Sequence, residues 1–241
     1  MELFKSWLVE KYVAHRGLHD EQSAENSLSA FEKAIENGYV IELDVQQIAD
    51  GTVVVFHDSS LSRLTGQDGY VKYLLKEDLS ACFLNGTKET IPTFEEALNL
   101  IAGRTPIIIE IKNTEKPGKL ESQVLEILRN YNGEFAIMSF NPFVLKWFKD
   151  NAPSIIRGQL SSFLKNEKLG FFKKIALKKM LLNNVTHPDF IAYQAQNLPN
   201  RYVRKCKNLP LLAWTVRSQE EYMKVVKYCD NIIFEGFQPK I

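Results

Sequence analysis

The stretch Val40-Ile41-Glu42-Leu43-Asp44-Val45-Gln46-Gln47-Ile48-Ala49-Asp50-Gly51-Thr52-Val53-Val54-Val55-Phe56-His57 holds two apolar extended runs joined by a tight turn. Asp-Gly between such runs is a strong hairpin signal. Parallel neighbours need a crossover of a dozen or more residues, so the runs at 40–45 and 52–57 must pair antiparallel. Glu42 and Asp44, two positions apart, point to one side of the first strand. The returning strand brings His57 back to their level. One turn thus sets an imidazole beside two carboxylates.

Seven further runs read as strands: 12–15, 107–112, 135–139, 156–160, 189–193, 211–215 and 231–234. The connections between them carry helix signals. An amphipathic helix over 27–37 is entered at Asn26 and stopped by Gly38. Thr93 with Glu96, and Ser218 with Glu221, have capping-box spacing. Asn141-Pro142 opens another helix, with Pro at its tolerated first position. This alternation predicts an α/β fold, a TIM-type (β/α)8 barrel, in which 52–57 is a hairpin extension after the second strand. Only Gln238 to Ile241 follow the end of the last strand, so the final helix is read as truncated or missing. Leu3 to Val9 is expected to cover that side. No repeat, low-complexity stretch or linker divides residues 1–241, which read as one domain.

The 241 residues are 45% hydrophobic and 24% charged, ordinary for a globular chain, and the net charge of +1 offers no field to recruit nucleic acid. Cys82, Cys206 and Cys229 are an odd number without CxxC spacing, which points to a reducing compartment and away from a zinc ribbon. The N-terminal residues are too short a run, and too interrupted by charge, for a signal peptide, and no apolar run approaches a membrane span. A cytoplasmic location is expected.

His15 ends the first strand, Glu42 and Asp44 the second and Glu110 the third, at the barrel face where such folds keep their chemistry. Glu42 and Asp44 by themselves also fit the alternation of a half-exposed strand. Glu110 does not, because Ile107-Ile108-Ile109-Glu110-Ile111 reads as buried on both faces. A buried polar group without a partner costs about 2–7 kcal/mol, and a divalent cation held by oxygen ligands is the simplest compensation. Lys112 faces the same side as Glu110 and is read as its ion-pair partner or as a phosphate ligand. Arg16, before the permissive Gly17, offers a fork for phosphate. Trp214, Phe140 and Phe237 lie near the ends of later strands and are read equally well as core aromatics. The lysines from Lys165 to Lys179, mixed with Phe171, Phe172 and Leu177, are better read as a solvated outer helix with its apolar side on the barrel than as a membrane-facing one.

His15-Arg16-Gly17, Glu25-Asn26-Ser27, Glu42-Leu43-Asp44, His57-Asp58, Thr65-Gly66, Glu110-Ile111-Lys112, Ser139-Phe140 and Ala213-Trp214-Thr215 occur in an order that resembles the glycerophosphodiester phosphodiesterase family over most of the chain. Two departures stand out. Ala24-Glu25-Asn26-Ser27 replaces the usual Pro-Glu-Asn-Thr, and Phe234-Glu235-Gly236-Phe237 replaces a Thr-Asp or Thr-Asn pattern. The resemblance implies a TIM-type barrel that hydrolyses glycerophosphodiesters to glycerol 3-phosphate and an alcohol such as choline or ethanolamine. It implies metal ligands at Glu42, Asp44 and Glu110, catalytic histidines at His15 and His57, and phosphate contacts at Arg16 and Lys112. It also implies a substrate-lining aromatic at Trp214, to which Phe140 is added as a further substrate contact.

Three hard oxygen ligands without thiolate favour one Mg²⁺ or Ca²⁺ over zinc. A diester needs one proton removed from the nucleophile and one delivered to the leaving alkoxide, and the expectation is His15 as base and His57 as acid. Competing readings are a lysophospholipase D on the same barrel, supported by the basic aromatic stretch, and a non-catalytic phosphometabolite-binding barrel. A metal-dependent isomerase or aldolase is disfavoured by the hairpin that returns His57.

Overall fold

The computed structural model describes residues 2–113, 115–164 and 170–240. Its strands are β1 (Val13–Ala14), β2 (Val40–Gln47), β3 (Val53–Val55), β4 (Ile107–Ile111), β5 (Phe135–Ser139), β6 (Ile156–Ser161), β7 (Phe190–Gln194), β8 (Leu211–Val216) and β9 (Asn231–Phe234). They are ordered β1-β9-β8-β7-β6-β5-β4-β2-β3, with β1 also paired to β2. The eight parallel strands close into a TIM-type barrel, and β3 stands outside the series. The α-helical segments are α1 (Trp7–Glu10), α2 (Leu28–Glu36), α3 (Ser62–Thr65), α4 (Phe94–Ile101), α5 (Lys119–Leu128), α6 (Pro142–Asn151), α7 (Phe171–Lys178), α8 (Asn183–Thr186) and α9 (Gln219–Val225). The chain divides into two compact units, residues 14–135 and residues 1–13 with 136–241.

In the unit 14–135, β4 is buried at all five positions, the near-continuous apolar run of a strand covered on both faces. β3 pairs antiparallel with β2, Val55 opposite Val45 and Val53 opposite Gln47. The connection is one residue longer than a two-residue turn. The Ile48 amide donates to the Thr52 carbonyl, leaving Ala49, Asp50 and Gly51 as the loop. Gly51 takes φ +95°, the left-handed position that a three-residue hairpin loop assigns to glycine. Beyond the hairpin, Val54, Phe56, Leu61, Leu64, Val71, Leu79, Leu84 and Ile91 pack into a core of their own, which holds the irregular segment 58–92 in place. The cap of α2 is Ser27, whose Oγ accepts from the Ala30 amide at 3.1 Å, and not Asn26. Asn26 sits at φ +60° and is used elsewhere. Thr93 and Glu96 form the expected capping box on α4.

In the second unit, Asn141 caps α6 through the Phe143 amide, with Pro142 at the first position. Ser218 caps α9, but Glu221 turns its carboxylate to the Arg217 amide, so only half of that capping box forms. Residues 235–240 form no helix. Leu3 to Val9 instead runs through a 3-10 turn (Glu2–Lys5) into α1, which buries Trp7 and Leu8. The buried Asn231, at the start of β9, donates through Nδ2 to the Leu8 and Lys11 carbonyls, both at 2.7 Å. α7 behaves differently from expectation: none of its residues is buried, and Phe171 and Phe172 face solvent. Lys165 to Leu169 lie outside the described residues. Among the described residues, no helix is long and apolar enough to cross a membrane.

Asn231 ties the N-terminal segment to β9 with one amide and two carbonyls. Asn231→Leu, of similar size, leaves both carbonyls without that donor and is expected to destabilise by about 2 kcal/mol. The check is urea unfolding: the midpoint falls at unchanged slope, and an unchanged midpoint would show that the segment contributes no stability.

Candidate active site

Parallel pairing of β2 with β4 sets Asp44 beside Glu110 and Glu42 beside Ile108. Pleating puts Glu42 and Asp44 on one side, so three carboxylates meet at the carboxyl ends of two neighbouring strands. One oxygen from each lies within 4.8 Å of the others. Glu42 and Asp44 are fully buried and Glu110 is 7% exposed.

The three are held differently. Burial by itself would raise the Asp44 carboxyl, but Lys112 and Arg16 outweigh it and hold Asp44 ionised, far below the usual range. Lys112 Nζ is 3.1 Å from Oδ1 and Arg16 Nε 3.1 Å from Oδ2. Asn26 adds a two-point clamp: its Nδ2 donates to Asp44 Oδ2 at 3.0 Å, and its Oδ1 accepts from the Asp44 amide. Glu42 Oε2 accepts from the Arg16 amide at 3.0 Å, while its buried Oε1 has no hydrogen-bond partner. Burial, then the charges of Asp44 and Glu110, push the Glu42 carboxyl well above its ordinary value. Glu110 is pushed up to about 7, chiefly by burial, although Lys112 lies 2.7 Å away. Orphaned oxygen and crowded negative charge fit a hard divalent cation, which would satisfy both at once.

Around the carboxylates the turn after β1 is tightly fixed. Arg16 is at φ +58° and Gly17 at φ +79°. A Cβ on Gly17 would meet the Ala30 backbone at 2.8 Å, so only glycine lets the turn lie against α2. His15 Nε2 is 3.9 Å from Glu42 Oε2. His57 follows β3, and its Nδ1 is 2.6 Å from Asp58 Oδ1. Burial lowers the His57 pKa from the ordinary 6.5, Lys112 and Arg16 lower it further, and Asp44 and Asp58 only partly offset them. Asp58 Oδ2 accepts from Arg63 Nε at 2.5 Å, and Arg63 then forks onto Glu25 at 2.7 and 2.8 Å. Glu25 accepts Arg16 Nη1 on the same oxygen. An unbroken polar chain therefore runs His57–Asp58–Arg63–Glu25–Arg16–Asp44.

Seven of the nine sequence-derived site residues thus meet in this unit: His15, Arg16, Glu42, Asp44, His57, Glu110 and Lys112. Phe140 and Trp214 belong to the other unit, where their rings pack edge to face at 5.4 Å and both are half-buried. Phe237 packs on Phe234. Sequence reasoning missed four supporting residues. Asn26, Glu25 and Asp58 lie inside the quoted motifs, and membership of those motifs was the available signal. Arg63 has no local signal, because its partner Glu25 is 38 positions away.

The raised Glu110 carboxyl sets a pH dependence. Its folded value of about 7 lies above the ordinary 4.5, so the stabilisation it contributes is present below 4.5 and lost as pH rises through 7. A cation competing with that proton restores more stability where the proton has gone. Thermal unfolding with and without added Mg²⁺ or Ca²⁺ is expected to show a larger gain in Tm at pH 8 than at pH 6. Equal gains would detach the cation from Glu110.

Residues 15–234 match the model of the glycerophosphoryl diester phosphodiesterase family. A glycerophosphodiester phosphodiesterase of Caldanaerobacter subterraneus subsp. tengcongensis is 32% identical over 229 residues, 89% of either chain. An Oleispira antarctica phosphodiesterase solved with its product sn-glycerol-3-phosphate superposes with TM-score 0.76 at 25% identity, covering 95% of this chain and 93% of that one. The glycerophosphodiester phosphodiesterase of Thermotoga maritima superposes with TM-score 0.72 at 27% identity over 93% and 94% of the two chains. The buried carboxylate cluster and its histidines thus sit in a chain that belongs to the glycerophosphoryl diester phosphodiesterase family and is a phosphoric diester hydrolase.

Proposed function

We propose that the protein hydrolyses small glycerophosphodiesters to glycerol 3-phosphate and an alcohol, with one Mg²⁺ or Ca²⁺ on Glu42, Asp44 and Glu110 and with proton transfers divided between His57 and His15. The observation that carries this reading is the convergence of three buried carboxylate oxygens within 4.8 Å beside two fixed cations. When bound, the ion offsets phosphate charge and raises the electrophilicity of phosphorus. Lys112 has three ammonium hydrogens for two carboxylate partners, and Arg16 keeps donors beyond its bonds to Glu25 and Asp44. Both can hold the substrate phosphate while remaining in place. Three thiols outside any disulfide support a reducing, cytoplasmic setting.

The geometry favours reversing the expected order of the histidines. Asp58, itself held by Arg63, accepts the Nδ1 proton of His57 and leaves the Nε2 lone pair free. With its pKa below 6.5, that ring is neutral at physiological pH and suited to take the proton of the nucleophile, water or the substrate's own glycerol 2-hydroxyl. His15, at ion-pair distance from Glu42, is then the donor to the leaving alkoxide.

The test of the reaction class is glycerol 3-phosphate release from glycerophosphocholine in Mg²⁺, in Ca²⁺ and in chelator. Cation-dependent release is expected; release undiminished by chelator would remove the metal from the reading. The histidine roles separate by leaving group. Each single alanine variant is expected to lose roughly 10²–10⁴-fold on glycerophosphocholine. On a p-nitrophenyl diester, whose leaving group needs no proton, His15→Ala recovers most of its loss and His57→Ala does not. The opposite pattern would restore His57 as acid. With His57 as base, activity on the acid side rises with pH to a midpoint below 6.5.

A further inference from the structure

Charge in this chain is segregated although its net value is +1. Residues 170–219 carry nine lysines and arginines and a single carboxylate, Asp189. That carboxylate is already committed to Arg157, at 3.3 Å from its guanidinium and 2.8 Å from its amide. The basic residues fall mainly on two connections, α7 after the carboxyl end of β6 and the segment 201–207 after the carboxyl end of the neighbouring β7. Tyr202 joins the two into one face: Lys178 from α7 lies 5.6 Å from its ring centre, and Arg201 lies 5.2 Å away.

The connection that carries the lysines also exposes apolar side chains. Phe171 is 71% exposed and Phe172 85%, with their rings in edge contact at 5.7 Å. Leu181 and Val185, just beyond the helix, are 58% and 44% exposed. Phe171 and Phe172, at the start of a helix whose residues are at most half-buried, gain little from folding unless something else covers them.

We propose that this face, formed by α7, Leu181, Val185 and the basic segment 201–207, docks onto the surface of an anionic lipid bilayer, with Phe171 and Phe172 entering the headgroup–acyl boundary. Lysines at 173, 174, 178 and 179 lay their methylene stems along the boundary and keep their ammonium groups at the phosphates. With Asp189 the single carboxylate between Gly170 and Gln219, the nine basic residues there attract anionic headgroups additively, screened by salt. A single-stranded nucleic acid fits less well. Half of the exposed apolar side chains here, Leu181 and Val185, are aliphatic and offer a base nothing to stack on. None of these residues is among those assigned to catalysis, so the inference stands whether or not the proposed reaction does.

The test is co-sedimentation of the full chain with vesicles of phosphatidylcholine alone and of phosphatidylcholine with phosphatidylglycerol. At least tenfold stronger partition onto the anionic vesicles is expected, falling as salt rises. Phe171→Ser/Phe172→Ser and Lys173→Gln/Lys174→Gln are each expected to lower it at least fivefold, with hydrolysis of soluble glycerophosphocholine and Tm unchanged. Phe172→Trp adds an insertion readout: its added emission shifts to the blue on anionic vesicles and is quenched by lipids brominated on the acyl chain. No binding to anionic vesicles, full retention by both double variants, or unquenched emission at position 172 overturns the proposal. So does tighter binding of a labelled single-stranded oligonucleotide that is insensitive to the phenylalanine changes.

Discussion

Three carboxylates crowded into 4.8 Å of buried space are the constraint on which this structure turns. Like charges at that distance, taken out of water, repel and lose hydration together. The chain answers at each residue in a different way. Asp44 is surrounded by Lys112, Arg16 and Asn26 and stays ionised. Glu42 receives one backbone donor and keeps one oxygen bare, and Glu110 shares a lysine that burial prevents from fully ionising it. The imbalance leaves room at the cluster for a hard cation.

Supporting this cluster is a second layer that explains why a long, irregular segment follows the hairpin. Residues 58–92 make few regular elements, yet they carry a core of their own and deliver Arg63 on the short α3. Arg63 holds Asp58 and Glu25 together, and through them fixes His57 on one side and Arg16 on the other. Groups 41 positions apart in sequence are thereby kept in one rigid arrangement. Such preorganisation spares a site the cost of rearranging when charge is placed in it.

Much of the barrel was legible because its strands obey strong local rules. Ile107 to Ile111 reads as a doubly covered strand, and so it is. Asp50-Gly51 announces a reversal, and the two-residue spacing of Glu42 and Asp44 puts them on one side whatever surrounds them. Errors arose where two local explanations competed. Asn26 looks like a helix cap, but Ser27 takes that role and frees Asn26 to clamp Asp44, 18 positions away. The hairpin loop holds three residues, more than Asp50-Gly51 alone, because the Ile48–Thr52 hydrogen bond closes it.

The amino-acid sequence by itself determined the fold class, the meeting of Glu42, Asp44 and Glu110 and the convergence of His15, His57, Arg16 and Lys112. Strand pleating, turn length and burial are local properties, and residue order encodes them. Tertiary structure alone decided which ring nitrogen of His57 meets Asp58, which carboxylate is charge-paired and which is left crowded. It also decided that α7 presents its phenylalanines outward. Each of these depends on partners brought close only by the folded chain: Arg63 for Asp58, Asn26 for Asp44, and for α7 the strands that take its middle and leave Phe171 and Phe172 in solvent. Desolvation and charge pairing act through space, and a one-dimensional pattern does not carry those distances.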